Sequence, residues 1–328
     1  MYKKLIPILA VLLLVSCGQS SGGLPAKTNP KSQTVETHVT ENYLAQNGLI
    51  ADYKNSKEPQ YLSESIGLYM NYLVLNHDSE TFHTLYKATK EELAFKKNFI
   101  KWKWGDKVTT NAFIDDMRLY SALRLASKQF HFPDYDKFAS QIASNWKKYG
   151  VTDGVPVDFF DFKTKEKAKT LHLSYYNSSA MREIGFSEAA YEPLKKVQAT
   201  PFFDEIFQDG TYQTTGNEVN MIDQMLIAIE YKRVTHKKEP HFDAFLQGEW
   251  AKNNRIYARY NRDTKTATNN VESTAVYALL ALYYEETGQK KNYQKAIDKL
   301  QMMDTSNALT THFFDYMHKE LVLIKKGS

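Results

Sequence analysis

Helical periodicity, recurring from about residue 60 to the C-terminus with almost no strand signal between, constrains this chain more than any other feature. Leu62, Ile66, Tyr69 and Leu73 recur at helical spacing, as do Met117, Tyr120, Leu123 and Ala126. Further such stretches run through 138–146, 221–231 and 274–284. Residues three and four apart share one helix face, so each stretch presents an apolar stripe that needs a partner. The last stretch carries Ala275, Ala278 and Ala281, small enough for close helix packing, and it stops at Gly288, a good helix terminator. β-Branched alternation is rare. The best local case, residues 150–156, is punctuated like a loop. The connections around Pro133, Pro201 and 237–240 read as short and polar. About 285 residues folded as helical hairpins make roughly twelve helices, which suits a closed helical barrel or an α-solenoid. No fixed-period repeat is visible, and that lowers the solenoid reading.

The N-terminus is of a different kind. Lys3 and Lys4 precede an apolar run over 5–15 that ends in Leu14-Val15-Ser16-Cys17-Gly18. A membrane-spanning helix needs roughly 20 apolar residues, so this run has the length of a signal-peptide core instead. Leucine three residues before the cysteine and serine directly before it resemble the lipobox of bacterial lipoproteins. Cys17 is the only cysteine in the chain, which leaves the folded domain without a disulfide. The expected organisation is a signal peptide over 1–16, a flexible tether over 17–40 with lipid on Cys17, and a folded domain over 41–328. That places the domain on the extracellular face of the cell membrane, anchored by its N-terminal lipid.

The formal charge is +4 and drops by two when Lys3 and Lys4 are removed. So weak a bias, without a basic block, argues against nucleic acid as a partner. No His pair or Cys cluster has ligand spacing, so neither a metal nor another cofactor is expected. The chain is rich in rings, with 22 Tyr, 18 Phe and 4 Trp. Phe suits the core. Many Tyr, and the paired Trp102 and Trp104, also suit a groove whose ring faces stack on sugars.

Four segments carry candidate chemistry. In the first, Ser63 reads as an N-cap that puts Glu64 in the first turn of a helix. A carboxylate there is ordinary helix electrostatics. Yet Glu64 is followed by small and apolar residues, Gly67 permits close approach, and Tyr61 and Tyr69 lie near. Such surroundings raise a carboxyl pKa, which is what a general acid requires. The second segment holds Asp115 and Asp116 ahead of Arg118. Either acid can face a groove while the other caps the helix, because adjacent helical residues point about 100° apart. The third is the aromatic pair Tyr175 and Tyr176 on a polar turn. The fourth places Asp223 just inside a helix otherwise apolar at Met221, Ile222, Met225 and Leu226, where a carboxylate needs a partner or a task.

Taken in this order, the four segments resemble glycoside hydrolase family 8, and within it the divergent lipoprotein members of Gram-positive exopolysaccharide operons. Ser63-Glu64 followed by Gly67 and Met70 resembles the family's proton-donor segment. Asp116-Met117-Arg118-Leu119, then Ala122, Ala126 and Phe130, is similar to the second half of its Ala-Thr-Asp-Ala-Asp signature. Ser174-Tyr175-Tyr176 with Arg182 resembles its substrate-groove segment, and Ile222-Asp223-Gln224 sits where the family carries its base. The first Asp of the family signature falls on Ile114, with Asp115 a candidate replacement by a one-residue shift. The family's Arg-rich segment after the base is missing.

The resemblance implies an all-α (α/α)6 barrel and an inverting, endo-acting glycosidase. Glu64 would protonate the leaving oxygen and Asp223 would activate water, the two carboxyls standing roughly 6.5–9.5 Å apart. Asp115 or Asp116 would hold the sugar beside the scissile bond, and Tyr175, Tyr176 and Trp104 would stack on or position neighbouring rings. The implied partner is a polysaccharide, an exopolysaccharide made by the same cell. A second class fits the same aromatics: a non-catalytic polysaccharide-binding lipoprotein that assists export or retention.

Overall fold

In the computed structural model, the residues described are 34–327, and twelve α-helices succeed one another among them. They are α1 (Val35–Asn42), α2 (Ser63–Leu75), α3 (Ser79–Glu92), α4 (Phe113–Phe130), α5 (Pro133–Tyr149) and α6 (Ser178–Ile184). Then come α7 (Glu192–Lys196), α8 (Met221–Thr235), α9 (Pro240–Asn253), α10 (Thr274–Glu286), α11 (Lys290–Met302) and α12 (Phe313–Gly327).

The even-numbered helices pack in succession: α2 on α4, α4 on α6, α6 on α8, α8 on α10 and α10 on α12. The series closes, because α12 packs back on α2. Helices α3, α5 and α11 each lie against the helix before them. Sequence explains this division. Ten of the thirteen residues of α2 are buried, and so are ten of thirteen in α10. A helix buried on nearly every side is a central one. By contrast α11 buries only Ala296, Ile297 and Leu300, a single stripe. Ala275, Ala278 and Ala281 are fully buried, as close packing of α10 requires.

Several local expectations change. Pro133 and Pro240 open α5 and α9 at the first helical turn instead of lying in loops. Proline fits there because its missing N–H has no helical partner to lose. Residues 150–156 form a hairpin, not a loop, with Val151–Thr152 paired to Val155–Pro156. Asp153 (φ 50°) and Gly154 (φ 84°) supply the two left-handed positions of the tight turn that joins such strands. The connections are also longer than expected. Leu171–His172, Ile206–Gln208 and Thr211–Gln213 make a three-stranded sheet, and Glu218–Asn220 pairs with Arg259–Asn261.

The fold reaches back to Val35, ahead of the boundary expected at residue 41. Helix α1 buries His38 and Val39, and just after it the Tyr43 hydroxyl donates to the Thr311 carbonyl at 3.0 Å. The expected signal peptide over 1–16, Cys17 and most of the tether lie outside the described residues.

Candidate active site

The site is assembled at the starts of helices. At α2 the cap position belongs to Leu62, and Ser63, expected as the N-cap, is the first helical residue. Its hydroxyl lies 3.0 Å from both the Trp102 carbonyl and Asp115 Oδ2, so it ties α2 to α4. Glu64 follows, its side chain about one quarter exposed at 26 %. Arg118 Nη1 stands 3.3 Å from Glu64 Oε2 and 3.0 Å from Asp115 Oδ1, so one guanidinium serves two carboxylates. Gly67 makes this possible, since a Cβ there would meet the Cβ of Arg118 at 2.9 Å.

Burial pushes the Glu64 carboxyl up to about 7; Arg118 opposes the rise, and Asp115 and Asp223 add to it. Asp115 is itself raised by burial against the pull of Arg118 and Ser63. Asp223 lies in the first turn of α8, whose start is capped by the Asn220 side chain accepting from the Ile222 amide at 3.1 Å. Burial raises the Asp223 carboxyl too, opposed by a hydrogen bond from Ser174, the positive charges of His172 and Arg259, and a hydrogen bond from Asn220. Arg259 arrives there because it pairs with Asn220 across the two short strands. The site therefore holds two carboxyls that burial raises and whose charges feel one another.

Tyr175 stands among these groups. Burial pushes its hydroxyl up to about 12, with Asp158, Asp115, Asp223 and Glu64 all contributing. Its ring stacks on His172 at 5.2 Å between centroids. Trp104 is 47 % exposed; its indole N–H donates to Glu92 at 2.7 Å and its ring meets Tyr61 edge-on at 5.8 Å. The Trp104 amide bonds the Tyr61 carbonyl at 2.9 Å, which puts the exposed indole beside the segment leading into Glu64.

Two expected residues are not brought to the site. Asp116 is buried, and its Oδ2 accepts from Asn111 at 2.9 Å and from the Trp146 indole at 2.6 Å. Burial pushes its carboxyl up to about 8, so near neutral pH it is a protonated core acid. The 100° step between helical neighbours explains the split: Asp115 faces Arg118 and Asp116 turns away. Tyr176 is likewise in the core, 1 % exposed, with its hydroxyl donating to the Ala190 carbonyl at 2.7 Å. It has no ring face left for a sugar. Arg182 also lies elsewhere, donating to the Arg233 carbonyl at 2.9 Å.

Sequence reasoning missed Asp158, His172 and Arg259. His172 and Arg259 sit in two- and three-residue strands and Asp158 in an irregular connection, all too short for periodicity to mark. The one available signal was that His172 lies two residues before Ser174. Among the described residues, no group of three or more His, Cys, Asp or Glu side chains is arranged to hold a metal.

This helix-rich fold brings two carboxyls, Glu64 and Asp223, to the first turns of two helices of one closed succession. The chain is 51 % identical to PssZ from Listeria monocytogenes, whose crystal structure superposes with a TM-score of 0.88 over 93 % of this chain and 98 % of that one. The chain thus belongs to one family with PssZ. It is also 28 % identical to the putative lipoprotein YdaJ of Bacillus subtilis, over 94 % of this chain and 91 % of YdaJ. Endoglucanase Cel10 of Klebsiella pneumoniae, a family 8 glycosyl hydrolase, shares the fold at 17 % identity and a TM-score of 0.64, over 89 % of this chain and 98 % of that chain. No protein-family model matches the chain.

Proposed function

We propose that this protein is a lipid-anchored, extracellular glycoside hydrolase that cuts an exopolysaccharide of its own cell, endo-acting and inverting, on an (α/α)6 barrel. The closed succession of even-numbered helices supports the barrel, as do α3, α5 and α11, each lying against the helix before it. The lipobox at Cys17 and the likeness to a putative lipoprotein support the anchor, with 1–16 as signal peptide and the residues up to about Thr34 as tether.

The observation that carries the reading is Glu64. Its carboxyl is held near 7 and feels the charge of Asp223, which starts another helix of the same succession. A carboxyl near 7 still carries a proton at neutral pH and can give it to the leaving glycosidic oxygen. Asp223 then takes the proton of a water that attacks the anomeric carbon from the opposite face, which inverts its configuration. As Glu64 becomes negative, Arg118 at 3.3 Å stabilises the new charge. Asp115 is the candidate to grip the sugar beside the scissile bond, Tyr175 to line that subsite, and Trp104 to stack on a more distant ring.

The test is incubation of the purified protein with the cell's exopolysaccharide, counting new reducing ends and reading the anomer first released. Cleavage with inversion is expected. Glu64→Gln should lose about 10²–10⁴-fold in rate while still binding polymer. The Glu64–Arg118 ion pair favours one competing reading, a non-catalytic polysaccharide-binding lipoprotein in which that pair stays locked. Polymer binding by wild type without any new reducing ends would select it.

A further inference from the structure

Asp158 is a buried carboxylate with an unusual set of donors. Its Oδ1 accepts the His172 amide at 2.6 Å, and its Oδ2 accepts Thr170 Oγ1 at 2.6 Å and His172 Nδ1 at 2.7 Å. One residue thus meets this carboxylate with both its backbone and its ring. The clamp is rigid on the other side as well: the Asp158 carbonyl accepts the amide of Phe113, the first residue of α4, at 2.9 Å. A buried carboxylate is costly unless a positive charge compensates it, and His172 is the residue placed to supply one. The imidazole is not sealed in the core, because its side chain is 32 % exposed. Its ring lies on Tyr175, and Ser174, between the two, hydrogen-bonds Asp223.

We propose that His172, clamped by Asp158, is a positioning residue for Asp223: it presents a fixed positive charge that keeps that carboxylate ready to accept a proton. The inference rests on the hydrolase reading above for the task of Asp223, whereas the placement of His172 against Tyr175, next to the Ser174 that hydrogen-bonds Asp223, does not depend on it. The surrounding charges agree in sign. Asp158, Asp223 and Glu205 all favour the protonated form of His172, and the hydrogen bond it donates to Asp158 raises its pKa most. Asp223 in turn feels His172 and Arg259 as cations, with Ser174 and Asn220 as neutral donors. The negative charge of Glu64 is the group opposing them from α2. Burial pushes Asp223 toward its neutral form, the charges of His172 and Arg259 oppose that push, and of these two cations His172 is the one that titrates.

The experiment has two arms on the full-length protein. In the first, the His172 ring is titrated by NMR, its signal assigned by its loss in His172→Gln. The midpoint should lie above the ordinary histidine value of 6.5. It should fall in Asp158→Asn and also in Asp223→Asn, because each variant removes an anion. A midpoint unmoved by Asp223→Asn overturns the coupling, whether or not the protein cuts polymer. In the second arm, the pH profile of cleavage is compared between wild type and His172→Gln. The acid limb should move up by about one pH unit with KM unchanged, and His172→Lys should bring it back. A raised KM with an unshifted limb would make His172 a sugar contact, and an equal loss at every pH would make it structural; either overturns the proposal. Absence of wild-type cleavage counts against the hydrolase reading alone, and the NMR arm still decides the pairing.

Discussion

Gly67 of α2 and Arg118 of α4 meet so closely that a methyl group on Gly67 would stand 2.9 Å from the Arg118 Cβ. This contact lets one guanidinium reach Glu64 and Asp115 together. Gly67→Ala must push the two helices apart or move Arg118. Overpacking of this kind typically costs about 1–3 kcal/mol. Urea denaturation should show that loss, and polymer cleavage should fall by more than the stability change explains, since Arg118 leaves its place.

The pH dependence of cleavage follows from the two carboxyls. In the proposed mechanism Glu64 acts in its protonated form, and burial pushes its carboxyl up to about 7, so activity should decline as pH rises through about 7. In the same mechanism Asp223 acts in its ionised form, and burial raises its pKa, so the acid limb should lie above the range of an ordinary aspartate. Rates measured from pH 4 to 9 should give this bell; activity still rising beyond pH 8.5 would remove Glu64 from the role of proton donor.

Asp116 gives a prediction about stability. Its folded pKa of about 8 is above the ordinary value of 3.8, so between the two the native state holds a proton that the unfolded state has lost. Stability from this group is therefore greatest below about pH 4 and drains away as pH rises toward 8. Asp116→Asn keeps an acceptor for Asn111 and Trp146 without the titration. The variant should melt at least as high as wild type at pH 8, with that advantage shrinking toward pH 5, and its cleavage should be unchanged. A large loss of polymer binding would return Asp116 to the groove.

Tyr175 and Tyr176 should part company on substitution. Tyr176→Phe loses one buried hydrogen bond, to Ala190, worth about 1 kcal/mol of stability, and should leave polymer binding as it was. Tyr175→Ala should weaken polymer binding by more than its loss of packing explains, and Trp104→Ala should weaken it less. Affinity electrophoresis in exopolysaccharide gels measures all three.

Cys17→Ala should abolish incorporation of a fatty-acid analogue and release the protein from membranes. Labelling that survives the substitution would place the anchor elsewhere.

Periodicity alone determined that this chain is a run of helices, because a stripe at helical spacing is a local property of sequence. It also marked α10 as closely packed through its alanines, and Gly67 as a point of close approach. Glu64 and Asp223 stood out as carboxyls in apolar or aromatic company, Asp115 as one of two adjacent acids and Tyr175 as one of two adjacent rings, and in the structure Tyr175 feels the charges of the other three. Which member of an adjacent pair joins these groups was decided only by tertiary structure. Asp115 and Asp116 differ by one helical step, and Tyr175 and Tyr176 by one residue of a tight turn, so direction depends on where the neighbouring helices lie. Asp158, His172 and Arg259 were invisible in sequence for the same reason. They reach Asp223 through strand pairing and a clamp between distant connections, and no local pattern encodes a contact that the folded chain alone creates.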